Sequence, residues 1–280
     1  MIDVAVIIVT HNSQEVLPRC IQALAQQSQK QKIRTEIIIV DSGSEDVSYL
    51  DTYRGLFGIK VILKKNIGFS RANNAGYQAV SPTAKFILFL NPDAFVTEQA
   101  LHNAIAFLKK NENVGCVGAR LLGFDKNSGV STNLLDSTGV FRKWYGRWYD
   151  RSQGEKETGQ YSTPEEVPAV CGAFLFCRQA MLAQLASDSP DGKAVFDPDF
   201  FLYKEDIEFC LRSRKACWRI VYHPEIQVYH CRGWRKNRQQ VPYPLRLTAA
   251  QSELLLSTKH PSPSILWALF KYLSVRWLKI

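Results

Sequence analysis

Paired cysteines are missing from this chain. Its seven cysteines (Cys20, Cys116, Cys171, Cys177, Cys210, Cys217 and Cys231) form no C-x-x-C spacing. That argues against a structural zinc site, and an odd, scattered set in apolar runs fits reduced, buried thiols in a cytosolic setting. Low-complexity tracts and internal repeats are also absent, which excludes disordered and solenoid architectures. No apolar run is long enough to span a bilayer. The N-terminal MIDVAVIIVT lacks a basic leader and a cleavage pattern, so it reads as a first strand and not as a signal peptide. The segment NIGFSRANNAG (66–76) is neither a GxGxxG fingerprint nor a P-loop.

What is present is an ordinary globular composition. The 280 residues are 46% apolar and 22% charged, with a formal net charge of +9. This suffices for one large α/β domain or a core with appendages. A basic balance suits nucleic acid, nucleotide phosphates or an anionic membrane, although solubility accounts for it equally well.

Continuous apolar runs alternate with helical patterns through the first hundred residues. VAVIIVT (4–10), EIIIVDS (36–42), KVILKK (60–65) and KFILFL (85–90) read as strands buried on both faces, hence a parallel sheet covered by helices. Asn12, with Glu15 three residues on, predicts a helix start before Leu17, Ile21 and Leu24. Further on come a helix over 98–110, the strand VGCVGARLL, VPAVCGAFLFC (167–177), a helix near 178–186, and the strands WRIVYH and QVYH with a turn at His223-Pro224. Residues 123–166 are rich in Gly, Ser, Asp and Lys, and read as a long, partly mobile segment with an aromatic-basic cluster at 141–151.

Ligands bind beyond the carboxyl ends of strands in such sheets. Asn12, Asp41 and Asp93 all fall there. Asp41 reads either as an acceptor for a nucleobase or ribose, or as a turn aspartate. Arg71, with Asn73 and Asn74, could meet a diphosphate at a helix start, or belong to an ordinary loop and helix. Pro92 ends its strand and projects Asp93 at the sheet edge. There it suits a divalent cation bridging to phosphate, or the N-terminus of the next helix. In YKEDIEFCLR, Ile207, Cys210 and Leu211 form a buried stripe. Glu205 and Asp206 sit in the first turn, where the helix dipole is expected to lower their pKa, and Glu208 pairs with Arg212 on the outer face. Either first-turn acid could be a general base or merely complement the dipole. His230 closes a short strand on the same face as Val228, and His223 reads as structural.

The ordered series T-x-N after a strand, VDSGS-x-D, N-x-GFS-x-x-x-N-x-G, NPD, C-G-A, F-x-Y-x-ED and a later histidine resembles glycosyltransferase family 2. It is most similar to the rhamnosyltransferase-like branch, across roughly residues 3–235. The resemblance implies a GT-A fold: an α/β, mostly parallel mixed sheet flanked by helices, with a nucleotide-sugar-binding half (1–97) and an acceptor-binding, catalytic-base half (98–235). A basic, amphipathic helical tail (236–280) follows. It implies inverting transfer from a nucleotide-diphosphate sugar, dTDP-rhamnose first and a UDP-sugar next, to a glycan acceptor, which can be polyprenyl-diphosphate-linked. By the same resemblance Thr10, Asn12, Asp41, Arg71, Asn74 and Asn91 face the nucleotide, and Asp93 and His230 hold Mg²⁺ or Mn²⁺. Asp206 is the base, with Glu205 beside it. Asn91 departs from the first aspartate common in the D-x-D-type motif, which should weaken metal binding without nucleotide.

The tail's Lys271, Arg276 and Lys279 fall within about 140° of a helical wheel. This fits either peripheral contact with the cytoplasmic face of an inner membrane or packing on the domain. Two other functions fit less of the sequence. A sugar-nucleotide nucleotidyltransferase would carry a Gly-rich basic signature after the first strand, where THNSQEV stands. A nucleic-acid-binding protein would leave the acids at strand ends without a role, and no such binding motif is present.

Overall fold

The computed structural model describes residues 2–56, 58–231 and 241–279. The expected boundary between 235 and 236 lies outside the described residues. A ten-stranded sheet runs through the molecule. Its N-terminal half is parallel: β3 (Ile59–Lys64), β2 (Thr35–Ser42), β1 (Val4–Thr10) and β4 (Phe86–Leu90) lie side by side in that order. β11 (Phe174–Arg178) continues the sheet antiparallel to β4 and to β6 (Val114–Asp125), and β12 (Arg219–His230) lies parallel to β6. β5 (Ala94–Val96) and β10 (Glu165–Glu166) pair with β12, and β7 (Val130–Ser137) pairs with β6.

Strand β1 explains why the run is apolar throughout. Val4, Val6 and Ile8 pack with Leu17 and Leu24 of α1 (Leu17–Gln31) and Leu101 and Leu108 of α3 (Ala100–Lys110). Ala5, Ile7 and Val9 face the opposite layer, with Ala72 of α2 (Phe69–Gln78), Leu182 of α4 (Gln179–Ser187) and Phe209 of α5 (Glu205–Lys215). Both faces being covered, alternation is lost and the strand ends where polar residues begin.

Several expectations are corrected. Asn12 is not a helix cap. Pro18 sets the first turn of α1, which starts at Leu17. Asn12 takes a left-handed φ of 51° and accepts a hydrogen bond from Glu45 N–H at 2.9 Å. His223-Pro224 does not break the chain: β12 is one strand, with a bulge absorbed between His223 and Gln227. VPAVCGAFLFC is a strand only from Phe174 onward.

The segment 123–166 is ordered, not mobile. It contributes β7 and the hairpin β8 (Val140–Arg142) and β9 (Trp148–Asp150). Two arginines organise it. Buried Arg120 donates to the Tyr222 hydroxyl and pairs with Glu157, both at 3.1 Å. Arg151 pairs with Glu165 at 2.6 Å and donates to Thr138 Oγ1 at 3.0 Å. Polar hubs of this kind leave no hydrophobic period to read.

Asn74, expected to face the nucleotide, is a buried clamp instead. Its Oδ1 accepts from the amides of Val195 and Phe196 at 3.0 and 2.9 Å, and its Nδ2 donates to Phe196 C=O at 2.8 Å. Asn74→Ala would leave those backbone groups unpaired, at a cost of about 2 kcal/mol. We expect the Tm of the variant to fall by about 4–8 °C with nucleotide affinity little changed. An unchanged Tm with lost nucleotide affinity would restore the ligand role.

Candidate active site

After β4 the chain turns at Asn91–Ala94, with Ala94 N–H donating to Asn91 C=O at 3.1 Å. β5 then pairs with β12, which sets His230 opposite Ala94, and Cys231 N–H donates to Asp93 C=O at 2.9 Å. Register alone brings residues distant in sequence together. His230 Nε2 lies 3.4 Å from Asp93 Oδ1, and Nδ1 lies 2.7 Å from Asp136 Oδ2 on β7. Burial disfavours charge on His230, but hydrogen bonds and charge from Asp136 and Asp93 outweigh it and lift the imidazole to about 9. Burial likewise opposes ionisation of Asp93, yet His230 holds its carboxyl below the usual value.

Asp136 was not anticipated, because β7 lay in the segment taken for a loop. The cue was available: LLDS repeats the pattern of IVDS, an apolar run ending in an acid.

The residues at this turn fit a divalent cation as a partial donor set. Asn91 Oδ1 is buried without a hydrogen-bond partner among the described residues, two residues before the carboxylate that meets the His230 imidazole. Among the described residues no three His, Cys, Asp or Glu side chains are grouped to hold an ion by themselves. Such a set relies on substrate phosphate oxygens, as Mg²⁺ sites commonly do.

Asp206 and Glu205 open α5. The two residues before them, Tyr203 and Lys204, are both left-handed with φ of 70°. Such a conformation costs about 1 kcal/mol or more per residue, and here it fixes the entry angle of the helix. Asp206 Oδ2 accepts from Gly172 N–H and Oδ1 from Ile207 N–H, both at 2.8 Å. A Cβ on Gly172 would sit 3.2 Å from that of Asp206, so this contact suits a glycine.

The helix dipole was expected to lower both carboxyls; burial wins and raises them instead. Desolvation, with the charge of Asp206, lifts Glu205 to about 8. Asp206 is raised by burial but eased by the Gly172 amide and by Lys204. Glu205 Oε2 has no partner, whereas both Asp206 oxygens accept amides. The proton therefore resides on Glu205 and the charge on Asp206. This separates two neighbours that helix geometry alone leaves equivalent. Glu208 is buried too, and not on an outer face: it forms a two-pronged pair with Arg212 at 2.7 and 2.9 Å.

At the ends of β1 and β2, Thr10, Asn12 and Asp41 meet in one network. Asp41 is 1% exposed. Its carboxylate accepts from Thr10 Oγ1 at 3.1 Å, Ser44 Oγ at 2.5 Å, Tyr49 OH at 3.3 Å and the amides of Gly43 and Ser44 at 3.1 and 3.0 Å. Asp41 thus serves its turn, holding the 43–44 amides and the hydroxyls of Thr10, Ser44 and Tyr49 together at the strand ends. Asn12 N–H donates to Ser44 Oγ at 2.7 Å, joining the two loops. Arg71 lies on the side occupied by Asn74, its Nε donating to Pro198 C=O at 2.9 Å. It sits in the first turn of α2, the helix start expected of it, with its guanidinium turned toward Pro198.

The sequence matches the family described as Glycosyl transferase family 2 over residues 5–186. It is 33% identical over 114 residues to the minor teichoic acid biosynthesis protein GgaA of Bacillus subtilis (strain 168), covering 39% of this chain and 26% of that protein. It is 25% identical over 177 residues to the poly(ribitol-phosphate) beta-N-acetylglucosaminyltransferase TarP of Staphylococcus aureus (strain N315), covering 58% of this chain and 53% of that one. The chain thus spans about half or less of the length of these relatives. The fold is similar to that of GalNAc-T7 with UDP, GalNAc and Mn²⁺, at a TM-score of 0.68 and 15% identity over 92% of this chain and 48% of that one. The architecture is the GT-A fold expected from the motif series.

The raised pKa of Glu205 carries a stability signature. The folded state keeps a proton that the unfolded state releases above 4.5, so stability is full below 4.5 and is lost as pH rises toward about 8. Glu205→Gln removes this dependence. Its Tm should decline less steeply than that of the parent across that window, and equal slopes would place Glu205's proton elsewhere.

Proposed function

The chain belongs to glycosyltransferase family 2, and from that premise we propose that it is an inverting glycosyltransferase. It moves a sugar from a nucleotide-diphosphate donor to a hydroxyl of a cell-surface glycan. The observation that carries this reading is the separation of two acids by one backbone segment. Asn91 N–H donates to Ala173 C=O at 3.1 Å, and the adjacent Gly172 N–H holds Asp206 at 2.8 Å. That contact supports placing Asp93 on the leaving-group side and Asp206 across from it, the division that a single in-line displacement requires.

In the proposed reaction the acceptor oxygen bonds to the sugar's anomeric carbon as the carbon–oxygen bond to the diphosphate breaks. The departing oxygen keeps the bonding pair, and the hydroxyl proton passes to an Asp206 oxygen. Asp206 is suited to this because it is ionised beside a protonated Glu205, half-buried and held by two amides. Asp93 and Asn91, with His230 once its Nε2 proton is lost, would hold Mg²⁺ or Mn²⁺ together with the diphosphate. A cation there supplies positive charge at the leaving group. Asp136 fixes the His230 ring.

For the donor, the motif series favours dTDP-rhamnose, while the name of TarP favours N-acetylglucosamine, which travels on UDP. The relatives' association with teichoic acid supports a bacterial wall polymer as acceptor. The tail supports peripheral membrane contact, since α7 (Ile265–Leu273) exposes Leu266 and Phe270. No helix among the described residues is long and apolar enough to cross a membrane.

Asp206→Asn should lower transfer by about 10²-fold or more while nucleotide Kd changes little; equal loss of both would reduce Asp206 to a scaffold role. Thermal shift against a panel of nucleotide sugars with Mn²⁺ identifies the donor. In Asp93→Ala the enhancement of UDP or dTDP binding by Mn²⁺ should vanish. An enhancement that persisted would remove Asp93 from the metal.

A further inference from the structure

The tip of the β8–β9 hairpin and the C-terminal helices are far apart in sequence but form one surface. The rings of Tyr145 and Trp267 meet edge to face at 5.0 Å, and Arg142 donates to Ser262 Oγ at 3.3 Å. Trp144 stands 96% exposed at the tip. On the adjoining helical side Leu266, Phe270, Trp277 and Leu278 project, with Trp277 75% exposed. A cluster of this size on a single face marks a contact surface.

Its own segments carry charge of one sign, with Lys259 and Lys271 paired to Asp197 and Glu253 from outside them. Residues 139–149 and 254–280 contain no Asp or Glu, while they carry Arg142, Lys143, Arg147, Lys259, Lys271, Arg276 and Lys279. Between hairpin and helices lies a cavity of about 200 Å³ lined by Arg147, Arg246, Trp267, Phe270, Lys271 and Val275 among others. Two buried donors in its lining residues, Arg246 Nε and Trp267 Nε1, have no hydrogen-bond partner among the described residues. Lys271 pairs with Glu253 at its edge. Cationic and N–H groups dominate the polar lining, amid apolar walls. Its complement is a phosphate oxygen attached to an apolar body.

We propose that this surface docks on an anionic bilayer, with the hairpin tip and α7 entering the interface and the cavity receiving a lipid phosphate. Aromatic side chains flanked by cations are the composition that interfaces select. A second copy of this chain is disfavoured as the occupant, because a two-fold contact would press the same basic rim against itself. The proposal rests on the transferase reading for its purpose and extends it. The hairpin ends at Asp150, whose charge acts on Asp206. At about 3.3 Å per residue the tip lies roughly 15 Å from Asp150. A bilayer gripped there would present a lipid-borne glycan acceptor within a few sugar lengths of the base.

The test is co-sedimentation of the protein with phosphatidylcholine vesicles, with and without phosphatidylglycerol, at low and high salt. Binding should require the anionic lipid and fall with salt. The triple variant Trp144→Ala, Phe270→Ser, Trp277→Ala should weaken it at least about tenfold, since each side chain is exposed and its loss leaves the core intact. If that variant unfolds, Arg142→Gln with Lys143→Gln and Arg276→Gln reports on the same surface through charge, and Arg246→Gln reports on the cavity. Absence of binding to anionic vesicles, or binding unaltered in the folded variants, overturns the proposal. So does a dimer in sedimentation velocity that the triple variant abolishes. Nucleotide binding by the same proteins is read separately, so failure here and failure of the transferase reading are distinguishable.

Discussion

The site depends on one short stretch of backbone, Cys171-Gly172-Ala173, entering β11. It runs between the two acids and touches both sides: Ala173 C=O receives Asn91 N–H, and Gly172 N–H binds Asp206. β11 is itself wedged antiparallel between β4 and β6 in the middle of the sheet. Any shift of that strand would move the Asn91–Ala94 turn and Asp206 together. A glycine at 172 lets the α5 carboxylate approach the chain without a side chain between them. The rigidity that transfer chemistry demands thus comes from a central strand and not from the loops around it.

Around that joint the protein keeps carboxylates buried by giving each a different neutralising partner. Asp41 is neutralised by hydroxyls and amides, Asp93 and Asp136 by one imidazole, Glu208 by Arg212, and Asp206 by amides and Lys204. For Glu205 the pull of Lys204 and of a backbone amide falls short of its burial and the charge of Asp206, and it responds by holding its proton. The outcome follows the general rule that a buried acid is either paired or neutral. It also explains how two adjacent acids on one helix turn come to differ in charge.

The parallel half of the fold was legible because strands buried on both faces are continuous apolar runs, and their ends coincide with Thr10, Asp41 and Asn91. Asp206 was legible as part of an ordered motif. What escaped has a common physical cause: it depends on register or on polar hubs. Asp136 reaches His230 only because β7 pairs with β6 and β6 with β12. The order in 123–166 rests on Arg120 and Arg151, which carry no period. Asn74 and Arg71 looked like ligand donors in a Gly- and Asn-rich stretch, but their partners are backbone groups of 195–198. The tail was ambiguous from composition. Its first helix, α6 (Tyr243–Lys259), packs on the domain through Ser252 on Leu202 C=O at 2.7 Å and Lys259 on Asp197 at 2.6 Å. The following turns expose most of the tail's large apolar side chains, Leu266, Phe270, Trp277 and Leu278 above all.

Asn91 can be understood in the same electrostatic terms. With His230 protonated, the group Asp93, Asp136 and His230 carries two negative charges and one positive, and its geometry is closed by short contacts. A second carboxylate at position 91 would add another negative charge in a buried turn, next to Asp93, with no further cation to meet it. Like charges at such separations are costly away from bulk water. An amide there keeps an acceptor oxygen while adding no charge, so the turn holds its shape without any ion. Asn91 is therefore consistent with a turn whose shape is set before any ligand arrives, by hydrogen bonds and by the His230 pairings and not by added charge.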